Sequence, residues 1–99
     1  MIEENVPYKN GEAKGYVIPL GPANLVLVVA KRGMIGCGAF DVQGLEKFDY
    51  PAARVKPTRG SSIASLEDLL SGEVKDANAP AAELGLAAGM SGREALDLL

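Results

Sequence analysis

The chain has 99 residues, of which 47% are hydrophobic and 23% charged, and carries a formal net charge of −3. These values fit one globular core and exclude a disordered segment. The acidic balance, with a pI near 4.9, excludes the basic face by which nucleic-acid binders displace counterions from phosphates, so no nucleic-acid partner is expected.

Aromatic residues make up only 5% of the chain and tryptophan is absent, so the core must be built from aliphatic side chains. Cys37 is the only cysteine and cannot form an internal disulfide, and Met1-Ile2-Glu3-Glu4 lacks the basic and apolar character of a leader. A cytoplasmic location is the expectation. The longest apolar run, Leu25 to Ala30, ends at Lys31 and Arg32 and falls far short of the ~20 residues that span a bilayer.

The elements follow in chain order. Asn10-Gly11 is a dipeptide suited to a tight hairpin turn, which predicts paired strands from about Glu3 to Leu20. Gly21-Pro22-Ala23-Asn24 reads as a turn, and Leu25 to Ala30 as an unbroken β-prone strand. After Lys31-Arg32-Gly33, the segment Met34 to Asp41 reads as the returning strand of a second hairpin. Residues 43–51 lack periodicity and are expected to form an irregular or one-turn helical connection before Tyr50-Pro51. Ala53-Arg54-Val55-Lys56 reads as a short fifth strand stopped by Pro57.

Beyond Gly60 the pattern becomes helical. Ser65 is placed to cap a short helix that Gly72 ends; Asn78 caps a second, with Pro80 in its first turn and Gly85 as its stop. Ser91 and Glu94 have capping-box spacing before the apolar run Ala95-Leu96. The fold class expected is a single α+β domain over residues 1–99, a mainly antiparallel sheet of about five strands with short C-terminal helices on one face. Because Leu25 to Ala30 is apolar at every position, both faces of the sheet need cover. The helices suffice for one, and a second copy is expected on the other, with a dimer favoured.

The motif Met34-Ile35-Gly36-Cys37-Gly38-Ala39-Phe40-Asp41-Val42, then Leu69-Leu70, Ala82-Glu83-Leu84-Gly85-Leu86 and Gly89-Met90-Ser91-Gly92-Arg93-Glu94-Ala95-Leu96, resembles the YunC-like family of uncharacterised bacterial and archaeal proteins. The resemblance runs from about Leu20 to Leu99. It implies an intracellular domain with strands first and helices last, and it carries no activity.

Candidate chemistry centres on Gly36 to Asp41. Cys37 is the one nucleophile by type, but histidine is absent, so a Cys-His dyad within one chain is excluded, and burial as a small hydrophobe is the competing reading. Gly36 and Gly38 weaken a strand, so either tight packing or close approach of a ligand must compensate. Asp41 could orient a water, hold a cation or cap the following turn. Arg54, Lys56 and Arg59 form a basic cluster followed by Gly60-Ser61-Ser62, which could present amides and hydroxyls to an anion; Arg93 is available for recognition or an ion pair. One cysteine without histidine makes zinc improbable, and no metal site or cofactor is assigned. Three readings stay open: a homo-oligomeric domain that binds a small anionic metabolite near the Cys37 strand, a minimal enzyme using Cys37 as nucleophile or redox thiol with Asp41, and a protein-interaction module.

Overall fold

The computed structural model describes all 99 residues. Six strands form one sheet in sequence order: β1 (Ile2–Tyr8), β2 (Gly11–Pro19), β3 (Asn24–Val29), β4 (Met34–Gly36), β5 (Ala52–Lys56) and β6 (Glu73–Ala77). All neighbours are antiparallel except β4 and β5, which run parallel. Four short helices complete the chain: α1 (Val42–Glu46) between β4 and β5, α2 (Leu66–Ser71), α3 (Ala79–Glu83) and α4 (Gly92–Asp97). The architecture is the expected α+β class, with one strand more than the sequence reading counted. No helix is long and apolar enough to cross a membrane.

The first hairpin turns one residue earlier than the Asn10-Gly11 reading places it. Tyr8 faces Gly11, so Lys9 and Asn10 form the turn, and Gly11 opens β2 with φ +133°. Core parity fixes this register: it sets Val6 against Ala13, both buried, and a slip by one residue would send every apolar side chain to the wrong face.

One face of the sheet carries the core. Val17, Val26, Val28, Ile35, Ala53 and Val55 are buried there against Ile63, Leu69, Leu96 and Leu99 from the helical half of the chain. On the other face, α1 and its flanks cover only the β4–β5 end, where Met34, Val42 and Ala52 form a smaller cluster with Leu27, Leu45 and Tyr50 beside it. The rest of that face, including Tyr16, Ile18, Leu25 and Val29, is half-buried or exposed.

Three helices begin where the caps predict. The side chains of Ser65, Asn78 and Ser91 accept from Asp68, Ala81 and Glu94 amides respectively, and Glu94 returns the capping-box bond to Ser91 N–H at 2.8 Å. Two readings need correction. The strand expected to reach Asp41 stops at Gly36, because the chain turns back after Cys37 and lays the Phe40 ring over Gly36. The stretch between Gly72 and Asn78 is β6, whose outer edge is held by the segment carrying Gly89 and Met90 through Val74 N–H to Met90 O at 2.8 Å and Gly89 N–H to Val74 O at 3.0 Å.

Candidate ligand-binding site

The reversal after β4 organises the site. Cys37 N–H donates to Val26 O at 2.9 Å, continuing the sheet by one bond, and Phe40 N–H then returns to Cys37 O at 3.3 Å. Cys37 is 7% exposed and belongs to the main core. Gly36 and Gly38 differ sharply. A Cβ at Gly36 would meet the Phe40 ring at 2.5 Å and Met34 Cε at 2.9 Å, so close packing accounts for this glycine, whereas a Cβ at Gly38 would meet nothing within 4 Å. Asp41 caps α1, its Oδ1 accepting from Gly44 N–H at 3.0 Å.

A cleft of about 550 Å³ opens at this end of the sheet. Cys37 and Gly38, the β2–β3 turn, Lys56 at the end of β5, Lys75 on β6 and the loop with Ser61 and Ser62 line it. The loop is anchored at both ends: Thr58 Oγ1 donates to Ser71 O at 2.9 Å, Asn24 Nδ2 donates to Ala64 O at 2.9 Å, and Ala64 N–H donates to Asp68 Oδ2 at 3.0 Å. Ser61 and Ser62 lie exposed between these anchors.

Lys75 reaches the cleft through a β-bulge that no sequence pattern signalled. Arg54 pairs with Asp76 and Val55 with Val74, which leaves Lys75 as the extra residue in the ladder. Its ammonium makes none of the ion pairs in the molecule, while Lys56 stands 3.4 Å from Glu73 in an exposed pair of the kind that contributes only ~0–1 kcal/mol. No carboxylate lines the cleft. In a chain of net charge −3, this is a local inversion of sign.

Of the residues singled out from sequence, the cleft brings together Cys37, Gly38, Lys56, Ser61 and Ser62, and leaves out Gly36, Asp41, Arg54, Arg59, Gly60 and Arg93. Arg54 lies on the opposite side of the Cys37-Gly38 turn, where its guanidinium forks onto Asp76 through Nε–Oδ1 at 2.9 Å and an Nη2–Oδ2 bond, and Nη1 reaches Gly38 O at 3.4 Å. The arginine is thereby committed to one carboxylate and to the Gly38 backbone. The hydrogen bond from Arg54 holds the Asp76 carboxyl below its ordinary value of 3.8. The stabilisation from this pair is therefore fully present above that value and is lost as the pH falls through the lowered one. Arg93 stands at the β1 edge, with Nη1 donating to Pro7 O at 3.0 Å. No group of metal-ligating side chains large enough to hold an ion is present.

The fold has a solved counterpart. The crystal structure of a protein of unknown function, TA1206 from Thermoplasma acidophilum, superposes with a TM-score of 0.85 at 23% sequence identity, covering 97% of this chain and 89% of that one. No curated protein matches. A family model described as a domain of unknown function, DUF1805, matches residues 36–99, a span that starts at the first glycine of the Cys37 turn and takes in the cleft lining except Gly21 to Asn24. The chain therefore belongs to the DUF1805 family, a domain family of unknown function, as the resemblance to an uncharacterised family implied.

Proposed function

We propose that this domain binds a small anionic metabolite in the cleft beside Cys37. The observation that carries the reading is the charge of the lining: Lys56 and Lys75 face a pocket without a carboxylate, next to the Ser61 and Ser62 hydroxyls and the open backbone at Gly38. Ammonium groups supply unspecific attraction, and hydroxyls and backbone amides supply direction. Cys37 contributes the apolar floor, since it is buried in the core and the chain holds no histidine to act on it.

Thermal denaturation with phosphate, phosphorylated metabolites and di- and tricarboxylates checks this. A ligand at ~100 times its Kd adds about 2.7 kcal/mol to the native state, a shift of roughly 10–20 °C for a domain of this size. Lys75→Glu is expected to weaken binding by about tenfold or more, equivalent to about 1.4 kcal/mol, with little change in the unliganded Tm. Gly38→Ala is expected to leave the unfolding free energy of the unliganded protein within about 0.5 kcal/mol of the parent while lowering affinity, because the methyl group enters space that only a ligand uses. A panel that stabilises neither protein, or binding that Lys75→Glu leaves intact, refutes the reading.

We also infer a homodimer through the open sheet face. Tyr16, Ile18, Leu25 and Val29 form an apolar strip beside α1, and Phe48, just after α1, is 79% exposed. In such a dimer the exposed Phe48 of one copy would be available to the apolar strip of the other, as the self-complementary patches of an isologous two-fold contact require. Multi-angle light scattering is expected to give twice the 10.3 kDa chain mass, and Ile18→Glu to give the monomer; a monomer mass for the parent protein at micromolar concentration sinks the inference.

A further inference from the structure

The β1 edge of the sheet is guarded over only half its length. The two-residue turn makes Tyr8 and Gly11 exchange both backbone hydrogen bonds, and so, at every second position, do Val6 and Ala13, Glu4 and Gly15, and Ile2 and Val17. Glu3, Asn5, Pro7 and Lys9 therefore turn their backbone groups away from the sheet. At the Pro7 end, α4 occupies the edge: Arg93 donates to Pro7 O at 3.0 Å, and Lys9 N–H donates to Asp97 Oδ1 at 3.0 Å. Pro7 itself has no N–H to offer. At the other end, the outward N–H and C=O of Glu3 and Asn5 have no protein partner.

A groove runs beside this bare edge, between β1 and α2. One part, of about 480 Å³, is lined by Val6, Leu66 and Leu70 and ends at Arg93; the adjoining part, of about 370 Å³, shares Glu4, Leu66 and Glu67 with it and reaches Ile2 and Val17. A strand added to β1 would place alternate side chains in the groove. Its walls carry apolar surface at Leu66 and Leu70 and carboxylates at Glu4 and Glu67.

We propose that the bare end of β1 and this groove take up an extended basic segment of a partner protein as an added strand, bonded to Glu3 and Asn5, with its apolar side chains on Leu66 and Leu70 and a lysine or arginine between Glu4 and Glu67. Self-pairing is disfavoured by the same charges. A two-fold register that uses Glu3 with Asn5 sets Glu4 against Glu4, and one centred on Glu3 sets Glu3 against Glu3; like charges directly opposite destabilise a ladder. A register centred on Asn5 would require an N–H from Pro7.

The test uses a fluorescently labelled peptide of alternating valine and lysine, with the glutamate-for-lysine peptide beside it, read by anisotropy and by amide exchange in NMR. Saturable binding of the basic peptide is expected, with slowed exchange at the Glu3 and Asn5 amides. Asn5→Pro removes an outward N–H without breaking a β1–β2 bond and is expected to weaken binding by about tenfold. Glu67→Lys, on an exposed helix position, is expected to weaken it several-fold and so tests the same surface should Asn5→Pro fold poorly. Equal binding of the acidic peptide, affinity unchanged in both variants, or protection confined to other amides overturns the proposal. A dimer whose mass falls to the monomer in Asn5→Pro also overturns it, by assigning the edge to a second copy.

Discussion

Asn78→Leu is expected to lower the unfolding free energy by about 3–5 kcal/mol, a large share of the ~5–15 kcal/mol typical of a domain. Asn78 is the one buried polar residue, at 1% exposure, and its side chain has every site filled. Oδ1 accepts from Ala52 N–H at 3.1 Å and Ala81 N–H at 3.1 Å, while Nδ2 donates to Val42 O at 2.9 Å and Tyr50 O at 2.8 Å. One amide thus joins the start of β5, the cap of α3 and both ends of the α1 segment. Leucine matches its size but removes one hydrogen-bond partner from each of four backbone groups, and a buried group left unsatisfied costs about 1–3 kcal/mol before relaxation or water entry. Calorimetry should show a Tm lower by roughly 15–30 °C.

Asn78→Asp sharpens this test. The carboxyl keeps the acceptor geometry toward Ala52 and Ala81 but aims its second oxygen at two carbonyls. Burial and those carbonyls favour the neutral acid, so the folded-state pKa of the new group lies above its unfolded value near 3.9. The sign follows: the variant's deficit against the parent is smallest below that unfolded value and grows as the pH rises through the raised folded one. A deficit independent of pH would contradict the hydrogen-bond assignment.

Local chemistry explains what was legible in the sequence. Ser65, Asn78 and Ser91 announce helix starts because a cap is a contract between residues three apart, the first hairpin is announced by the turn-forming Asn10-Gly11 pair, and β3 by its unbroken β-prone run. β6 was invisible because an edge strand of Glu73-Val74-Lys75-Asp76-Ala77 buries deeply only Val74, so it carries neither helical nor two-residue periodicity. The cleft followed the same division. Cys37-Gly38 and Ser61-Ser62 stood out as residue types, but Lys75 enters through a bulge fixed by the pairing of β5 with β6. Arg54 matched the basic pattern, yet its partner Asp76 comes from the strand that could not be read, so its engagement could not be read either. The second role of Asn78, beyond capping, depends on the path of α1, which residues three apart do not encode.

The second large effect is expected at Gly92, the first residue of α4, where helix propensity and packing make opposite predictions. Glycine in a helix is ordinarily worse than alanine by about 0.5–1 kcal/mol, so propensity alone forecasts that Gly92→Ala stabilises. Packing forecasts the reverse. Gly92 is buried, with its N–H donating to Gly72 O at 3.0 Å, and a Cβ there would overlap the Leu69 carbonyl oxygen and sit 3.1 Å from its carbon and 3.2 Å from Leu70 Cα. These are backbone atoms of α2, so no side-chain rotation relieves the overlap. Either α2 or α4 must shift, and α4 carries Ala95 and Leu96 into the core, both fully buried. Overpacking of this kind costs about 1–3 kcal/mol and more when backbone must move, which outweighs the propensity gain. Gly92→Ala is therefore expected to lower stability by at least about 2 kcal/mol in denaturant unfolding, whereas Gly38→Ala, into open space, stays near the parent. A Gly92→Ala protein as stable as the parent would mean that α4 does not lie on the backbone of α2 as closely as described.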